Sequence, residues 1–293
     1  MSIRIALAGN PNCGKTTLFN DITGSKQHVG NWPGVTVEQK TGKYKKNKEI
    51  EIVDLPGIYS LSPYSAEEIV ARDYIVDENP DVLIDIVDGT NIERNLYLTL
   101  QVLETKIPTV IALNMMDEVE ASGTKIDVKK LSKILGVPVI PIVARNGKGV
   151  NELMEAAQKI ASSKTQSNDL EVFSPQVNNY ITEIVGLLDD NDNQNHKSSS
   201  YEMWQAIKIL EEDEIVIEKL PGKMSPADIQ KVRARVATDL RQKQINLVKP
   251  VQEKINNAIK QVAQEHGYSV VITSDVALFT AVDITEEVLN AAK

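Results

Sequence analysis

A glycine-rich run close to the amino terminus has the residue types and spacing needed to hold a nucleoside triphosphate. Gly9 to Thr16 reads Gly-Asn-Pro-Asn-Cys-Gly-Lys-Thr. Glycines let the backbone curl until successive N–H groups point at one phosphate chain, and the N-terminus of the following helix adds positive potential. Lys15 is then expected to reach the β- and γ-phosphates, while the Thr16 hydroxyl ligates Mg²⁺. The residues predicted to line this part of the site are Gly9, Asn10, Pro11, Asn12, Cys13, Gly14, Lys15, Thr16 and Thr17.

Two further segments have the residues that the γ-phosphate and the metal need. Asp54-Leu-Pro-Gly57 follows a predicted strand; Asp54 is expected to hold Mg²⁺ through water and the Gly57 N–H to sense the γ-phosphate. The segment 29–38, Val-Gly-Asn-Trp-Pro-Gly-Val-Thr-Val-Glu, has the glycines and proline of a mobile loop. Its Thr36 is the candidate second hydroxyl ligand of Mg²⁺. The loop residues predicted to contact nucleotide are Gly34, Val35 and Thr36.

The base is selected by a third motif, Asn-Met-Met-Asp at 114–117. A carboxylate at Asp117 accepts two hydrogen bonds from N1–H and the exocyclic amine of guanine, a donor pair that adenine lacks. The motif therefore predicts GTP rather than ATP, with Asn114 and Met115 beside the base, although lysine is commoner where this chain has Met115. The alternative for Asn114 is a helix N-cap. Val143, Ala144 and Arg145 end the last predicted strand, where the Ala144 N–H would meet guanine O6.

The residues that would activate water for hydrolysis are less obvious. Many GTPases have a glutamine just after the aspartate-proline-glycine turn, but this chain has Ile58 and Tyr59 there. Two substitutes are open: a monovalent cation such as K⁺ held by the Asn12 side chain, or a backbone group of the 29–38 loop. The alternative for Asn12 is a local hydrogen bond to the backbone. The catalytic candidates are Lys15, Thr36 and Asn12.

These motifs must be positioned by alternating strands and helices, and the chain has that alternation up to about residue 160. The predicted strands are Ile3–Ala8, Glu49–Val53, Val82–Val87, Thr109–Leu113 and Val139–Val143. The predicted helices between them are Lys15–Ile22, Ala66–Asp77, Ile92–Glu104, Val128–Leu135 and Val150–Ile160. This order predicts an α/β fold of the Ras-like P-loop GTPase type, a mostly parallel sheet flanked by helices that binds ligands at the carboxyl ends of its strands.

Helical patterns dominate the rest of the chain. A polar segment, Ala161–Asp169, is predicted to be a linker, and residues 189–200 a loop. Tyr268–Thr273 is predicted to be a strand. The predicted domains are 1–161 for the nucleotide domain, 170–266 for a small all-α helical domain, and 267–293 for a tail of open role. The helices predicted for this part are Val177–Leu188, Tyr201–Leu210, Pro226–Leu240 and Leu247–Ala263.

Composition narrows the class of protein. The net charge of -9 and the pI near 5.0 argue against nucleic acid as a partner, since phosphate backbones need a basic surface. Lysines at 40–48 fit either a basic patch or, as we expect, a solvated β-hairpin. Cys13 is the only cysteine, so no disulfide forms within the chain. No apolar run reaches the ~18 residues of a membrane span, so the chain as given is expected to be cytoplasmic.

Four strings together resemble the cytoplasmic G domain of the ferrous iron transport protein B (FeoB) family. They are residues 9–16, the Gly-Asn-Trp-Pro-Gly-Val-Thr-Val-Glu string at 30–38, Asp-Leu-Pro-Gly-Ile-Tyr-Ser at 54–60, and 114–117. The similarity covers roughly residues 1–235. It implies bacterial Fe²⁺ uptake, slow GTP hydrolysis with GDP as product, stimulation by K⁺ through Asn12, and a place for Ser65–Glu68 in the second switch. It also implies a membrane transporter domain in the same polypeptide at the cytoplasmic face of the inner membrane, and small regulatory Feo proteins or further copies of the chain as partners.

The chain departs from that family in two ways. No polytopic membrane domain is present, so the sequence is expected to be a fragment, a truncated form or a rearranged gene. Residues 249–255 and 282–288 are weakly similar to the end of Skp-like periplasmic chaperones. Cys13 stands where many relatives have serine, which raises the prospect of a reactive thiol beside the phosphates.

Three functional hypotheses follow from these residues. The first is an enzyme that hydrolyses GTP and gates iron entry. The second is a binding module whose GTP- and GDP-bound shapes dock a partner, with negligible hydrolysis. The third is a GTPase of ribosome assembly or tRNA modification, which the acidic charge and the lack of a basic appendage disfavour.

Overall fold

Strands of the amino-terminal half form one seven-stranded sheet in the computed structural model. The structure describes residues 3–24, 27–62, 65–163, 173–188, 199–218, 220, 226–267, 288 and 290–291. The strand order is β2-β3-β4-β1-β5-β6-β7. Strands β4, β1, β5, β6 and β7 run parallel, and β2 and β3 are antiparallel additions at one edge. The strands are β1 Ile3–Gly9, β2 Gln27–Asn31, β3 Glu38–Tyr44, β4 Asn47–Asp54, β5 Val82–Asp88, β6 Thr109–Asn114 and β7 Val139–Pro141.

Helices cover both faces of this sheet. In chain order, the α-helices of the described residues are α1 Lys15–Thr23, α2 Ala66–Asp73, α3 Ile92–Glu104, α4 Met116–Ala121, α5 Val128–Leu135, α6 Val150–Ser163, α7 Pro175–Leu188, α8 Ser199–Leu210, α9 Glu214–Glu218 and α10 Pro226–His266. A π-helical turn, Tyr74–Glu78, extends α2, and a 3₁₀ turn, Gly89–Asn91, leads into α3.

Strand β1 shows why the sheet needs cover on both sides. Ile5 and Leu7 point to a core shared with α1 and α6, while Ala6 and Ala8 point to a second core shared with α2 and α3. Successive side chains of a strand alternate between faces, so a strand that is apolar throughout must be buried on both faces. The predicted α/β fold with a mostly parallel sheet is therefore confirmed.

The parallel strands bring the candidate motifs to one edge. Gly9, Asp54 and Asn114 are the last residues of β1, β4 and β6. Because these strands are parallel and adjacent through β5, their carboxyl ends lie on the same side of the sheet. The loops that follow these strands therefore form one cluster.

The hairpin expected at 40–48 is confirmed as β3 and β4, and β3 pairs further with β2, a strand that the sequence did not reveal.

Several predicted bounds differ from those in the structure. The helix predicted over Ala66–Asp77 changes to π geometry after Asp73. The strand predicted over Val139–Val143 ends at Pro141, although the next residue, Ile142, still donates its N–H to the Leu113 carbonyl of β6 at 2.8 Å. Short α4 was not predicted.

The carboxyl-terminal half is helical where it is described. Helix α7 packs against α8, and α8 against α9. The two helices predicted at Pro226–Leu240 and Leu247–Ala263 are in fact one, α10, with Pro250 inside it. Residues 241–246 contain no glycine or proline, so the helix continues where only the apolar periodicity lapses. The predicted linker is wrong at Ala161–Ser163, which belong to α6, and the predicted loop is wrong at Ser199 and Ser200, which belong to α8. The rest of that linker and loop, and the predicted strand Tyr268–Thr273, lie outside the described residues.

The chain divides into two compact units, Met1–Lys223 and Met224–Lys293. The first contains the sheet, its helices and α7 to α9; the second contains α10. The domain bounds predicted from sequence stay predictions. Among the described residues, no helix has both the length and the apolar character needed to cross a bilayer.

Candidate nucleotide-binding site

The loop between β1 and α1 has a backbone that requires glycine. Gly14 precedes α1 with φ 92°, in the left-handed region. A Cβ atom there would lie 2.2 Å from Asn114 Nδ2. A Cβ on Gly57 would lie 3.2 Å from the Cα of Pro11. The loop is therefore packed closely against both the 54–57 turn and the end of β6, as the predicted motif requires.

Lys15 and Asp54 form a buried ion pair at the centre of this edge. Lys15 Nζ donates to Asp54 Oδ1 at 2.6 Å, and the two side chains are 10% and 6% exposed. Burial raises the pKa of Asp54 above its ordinary value, and the neighbouring Lys15 charge opposes that rise. The structure thus brings together the predicted phosphate ligand and the predicted metal ligand.

Asn114 joins three of the predicted motifs. Its Nδ2 donates to the Cys13 carbonyl at 2.8 Å, and its Oδ1 accepts from the Ala144 N–H at 2.9 Å. Asn114 and both of its partners are buried. The N-cap alternative is wrong, because α4 has Met115 at its N-cap position, without a side-chain capping bond. Asn114 instead ties the phosphate loop to the segment predicted to meet guanine O6.

Asp117 and Arg145 form an ion pair at the predicted base site. Asp117 lies in the first turn of α4, and Arg145 follows β7 in the loop 143–148. Arg145 Nη2 is 2.5 Å from Asp117 Oδ2. The carboxylate expected to read guanine therefore already has a charged partner.

The loop carrying Thr36 is anchored at Trp32. The Trp32 ring is buried and meets Tyr74 edge-on, with ring centroids 5.3 Å apart. The Trp32 N–H donates to the Val37 carbonyl at 2.9 Å, which closes a turn containing Gly34, whose φ is 77°. Thr36 itself is exposed. The Thr36 hydroxyl therefore lies on an anchored turn, and its role as a ligand of Mg²⁺ stays a prediction.

The two asparagines of the phosphate loop occupy contrasting environments. Asn12 is exposed, has φ 67°, and makes no side-chain hydrogen bond within the described residues, so the backbone-bonded alternative is not seen. Asn10 is 4% exposed, and neither its Oδ1 nor its Nδ2 has a hydrogen-bond partner in the described part of the chain. An orphaned amide costs stability, so a polar partner arriving beside Asn10 would be favoured.

The predicted reactive thiol is wrong. Cys13 is 1% exposed, and burial raises the pKa of its thiol to about 12, with the Asp85 charge adding to the effect. Reactivity needs an accessible thiolate. Cys13 acts as a small apolar core residue instead.

The sequence did not single out Asp85, which lies within β5. It is 1% exposed, accepts a hydrogen bond from Thr99 Oγ1 at 2.6 Å, and burial raises its pKa to about 7. The signal for it was a carboxylate in the middle of an apolar strand whose other carboxylate, Asp88, is its last residue. Ser65 and Glu68 form a reciprocal capping box at the start of α2, and Arg94 lies 4.4 Å from the ring centroid of Tyr59.

The donor set at this edge suits Mg²⁺ completed by phosphate. Asp54 and Thr16 offer a carboxylate and a hydroxyl, the hard oxygen ligands that Mg²⁺ prefers. No cluster of three metal-ligating side chains occurs among the described residues. Mg²⁺ is normally held by one or two protein groups plus substrate phosphates and water, so the residues present fit the ion once Lys15 moves to the phosphates.

Comparisons with known proteins match two parts of the chain to known families. The family model for ferrous iron transport protein B matches residues 3–157. A model for outer membrane protein (OmpH-like) matches residues 205–291, which overlap the segment similar to Skp-like chaperones.

Individual relatives point the same way. A Porphyromonas gingivalis Fe(2+) transport protein A/Fe(2+) transporter FeoB fusion protein is 46% identical over 219 residues, 72% of this chain and 25% of its own length. The Salmonella typhimurium Fe(2+) transporter FeoB is 48% identical over 172 residues, 57% of this chain and 22% of its own. The chain thus spans about a quarter of these curated relatives.

Solved structures give the same fold. A crystal structure of an S. thermophilus NFeoB mutant bound to mGDP has 43% identity and a TM-score of 0.75, and covers 83% of this chain and 91% of its own. S. thermophilus NFeoB bound to GDP·AlF₄⁻ and K⁺ has 44% identity and a TM-score of 0.71, with 82% and 91% covered. The family match over more than half of the chain, together with the sheet and motifs above, shows that this chain belongs to the ferrous iron transport protein B family.

Proposed function

We propose that this chain binds and hydrolyses GTP as the cytoplasmic nucleotide switch of a bacterial Fe²⁺ transporter. The observation that carries the proposal is the Asn114 bridge, which joins the phosphate loop to the Ala144 backbone through bonds of 2.8 and 2.9 Å. A side chain that couples these two segments builds one pocket with a phosphate end and a guanine end. Relatives with 43–44% identity bind mGDP or GDP·AlF₄⁻.

At the phosphate end, Lys15 supplies the mobile charge. When a triphosphate enters, its oxygens compete with Asp54 for Lys15 Nζ, and the backbone amides of the loop bind the remaining oxygens. Asp54, Thr16 and Thr36 would then hold Mg²⁺, which neutralises the charge that develops on the phosphates. Gly57, which packs on Pro11, would sense through its N–H whether a γ-phosphate is present.

At the base end, Asp117 accepts from guanine and Ala144 donates to its O6. Ala144 is positioned by its bond to Asn114, so the donor is held in place before the base arrives. Adenine presents no donor pair to Asp117 and no acceptor at O6. Met115, Val143 and Arg145 flank Asp117 and Ala144 in the sequence and are proposed to line the base site beside these two contacts.

For the hydrolysis step, we propose that Asn12 holds K⁺ beside the phosphates. Its exposed amide lies in the phosphate loop without a hydrogen-bond partner in the described residues, and amide oxygen is a suitable ligand for a hard cation. Ile58 is buried and Tyr59 lies against Arg94, so neither positions a water molecule. An S. thermophilus NFeoB structure contains K⁺ together with GDP·AlF₄⁻, which supports a K⁺ site in this fold.

The partners we propose follow from the relatives. The curated FeoB relatives are about four times longer than the matched segment, so a transporter domain in the same polypeptide is proposed as the output of the switch, at the cytoplasmic face of the inner membrane. The P. gingivalis relative is fused to Fe(2+) transport protein A, which supports a small Feo protein as a further partner. We also propose self-association as a route of regulation.

A second candidate is a nucleotide-dependent docking module with negligible hydrolysis. The observation that favours it is the pair Ile58 and Tyr59 at the positions where a catalytic glutamine would stand. Both candidates use the same pocket and differ only in the rate of phosphate release.

Phosphate release from GTP under single-turnover conditions separates the two candidates. We expect faster release in K⁺ than in Na⁺, and loss of this difference in Asn12→Ala. Asn151→Ala, which removes an exposed amide from α6, is the matched control and should keep the K⁺ effect. Equal rates in the two salts contradict the role of Asn12, and release no faster than in buffer favours the docking module.

A further inference from the structure

The Arg145–Asp117 ion pair covers the oxygen that a guanine base would need. Arg145 Nη2 lies 2.5 Å from Asp117 Oδ2. Oδ2 is closed to solvent, although 26% of the Asp117 side chain is exposed. Within the described part of the chain this oxygen has no hydrogen-bond donor, so the guanidinium approaches it as a charge rather than along a hydrogen bond.

The two residues differ in how firmly they are held. Asp117 is in a helical turn that begins at Met116. Arg145 lies in a tight loop closed by the Val143 N–H to Lys148 carbonyl bond at 2.9 Å and the Asn146 N–H to Val143 carbonyl bond at 3.2 Å. Its side chain is 71% exposed, so it can leave Asp117 for solvent without any change in that loop.

We propose that Arg145 competes with the base for Asp117 and thereby sets both the affinity for guanine nucleotides and the selectivity for the exocyclic amine. The inference rests on the proposed function, in which Asp117 reads the base. A guanine base brings two donors and needs both carboxylate oxygens, so it must displace Arg145. Hypoxanthine has the N1–H but no exocyclic amine, so it needs one oxygen and leaves the other to Arg145.

Arg145 therefore reduces the advantage of GDP over IDP, the hypoxanthine nucleotide. A ligand that breaks the Arg145–Asp117 ion pair loses the free energy of that pair, so it binds more weakly than it would to a free carboxylate. Because the pair is exposed on the arginine side, its effect should fall as ionic strength rises.

The test compares GDP and IDP affinities of the full chain and of Arg145→Ala by calorimetry, at low and high ionic strength. We expect Arg145→Ala to bind GDP about two- to fivefold tighter at low ionic strength, the range typical of exposed ion pairs. The affinity for IDP should rise by a smaller factor, so the ratio of GDP affinity to IDP affinity should be higher in Arg145→Ala than in the parent chain. High ionic strength should shrink the difference between the two proteins.

Lys148→Ala is the matched control, because Lys148 is an exposed cation of the same loop; it should leave the GDP/IDP ratio unchanged. The inference is overturned if Arg145→Ala binds GDP no more tightly than the parent chain does. It is also overturned if the affinities of Arg145→Ala for GDP and for IDP rise by the same factor. The Asp117→Ala variant distinguishes a failure of the proposed competition from a failure of the proposed function. If Asp117→Ala loses GDP while Arg145→Ala is unchanged, only the competition is wrong; if Asp117→Ala keeps full GDP affinity, base recognition by Asp117 fails and the inference with it.

Discussion

Lys15 Nζ lies 2.6 Å from Asp54 Oδ1, which joins the residue expected to bind phosphate to the residue expected to bind Mg²⁺. Both side chains are nearly closed to solvent. Each charge neutralises the other, so neither is buried alone. In the proposed function, a triphosphate and its metal would give each group a new partner of opposite charge. The pair therefore fits the proposed phosphate and metal site.

Replacing Lys15 should remove phosphate binding. Lys15→Ala is expected to weaken GDP binding about 10- to 100-fold, the range for hydrogen bonds to charged groups. Fluorescence titration with a labelled GDP measures the loss. Lys159→Ala, which removes an exposed cation from α6, should bind GDP as the parent chain does. Undiminished affinity in Lys15→Ala would show that this loop is not the phosphate site.

Removing the Asn114 bridge should cost both stability and affinity. Asn114→Ala leaves the Cys13 carbonyl and the Ala144 N–H without their partner, at about 2–4 kcal/mol in the free energy of unfolding for two buried polar groups. GDP affinity should also fall, because Ala144 is no longer held. Urea unfolding and GDP titration measure the two effects. Asn151→Ala should change neither, and a fully stable Asn114→Ala is the result that contradicts the bridge.

Cys13 should be inert in the folded chain. Its thiol is buried and its pKa is raised to about 12, so almost no thiolate is present near neutral pH. A chromogenic disulfide reagent should label no thiol in the native chain and one thiol in urea. Rapid labelling without denaturant would contradict this environment.

Asp85 should make stability depend on pH. Burial raises its pKa to about 7, so the folded state holds the proton more strongly than the unfolded state does. Its contribution to stability is therefore lost as pH rises from about 4 to about 7, by at most about 4 kcal/mol. Asp85→Asn removes the titrating group and keeps an acceptor for Thr99.

Urea unfolding of both proteins across that pH range measures the difference. The free energy of unfolding of Asp85→Asn, relative to the parent chain, should rise with pH. Glu120→Gln, an exposed carboxyl change on α4, should run parallel to the parent chain. A constant difference between Asp85→Asn and the parent chain would mean that Asp85 does not titrate in this window.

The parallel sheet and its motifs were predictable because their signals are local. Continuous apolar runs gave β1, β5 and β6 within one residue, and the helices Ile92–Glu104 and Val128–Leu135 were predicted with their observed bounds. Strand β2 was missed because its alternation is weak and its pairing with β3 is an edge contact. Helix α10 was divided in two because a lapse in apolar spacing looks like a loop, although its polar residues favour helix.

The motifs predicted which residues lie together at this edge of the sheet, but they did not predict several of the groups with which these residues pair. A motif assigns Lys15, Asp54 and Asp117 to a ligand, so it does not reveal that Lys15 also pairs with Asp54 and Arg145 with Asp117. The burial that makes Cys13 inert arises from contacts with strands far away in sequence. These features depend on packing between distant segments, which residue spacing does not encode.

The most direct test of guanine recognition is calorimetric titration of the chain with GDP and with ADP, repeated with Asp117→Asn. We predict that the parent chain binds GDP and not ADP. Asp117→Asn should lose GDP and accept xanthosine diphosphate, whose extra carbonyl matches the new amide donor. Equal affinity of the parent chain for ADP and GDP would contradict the account.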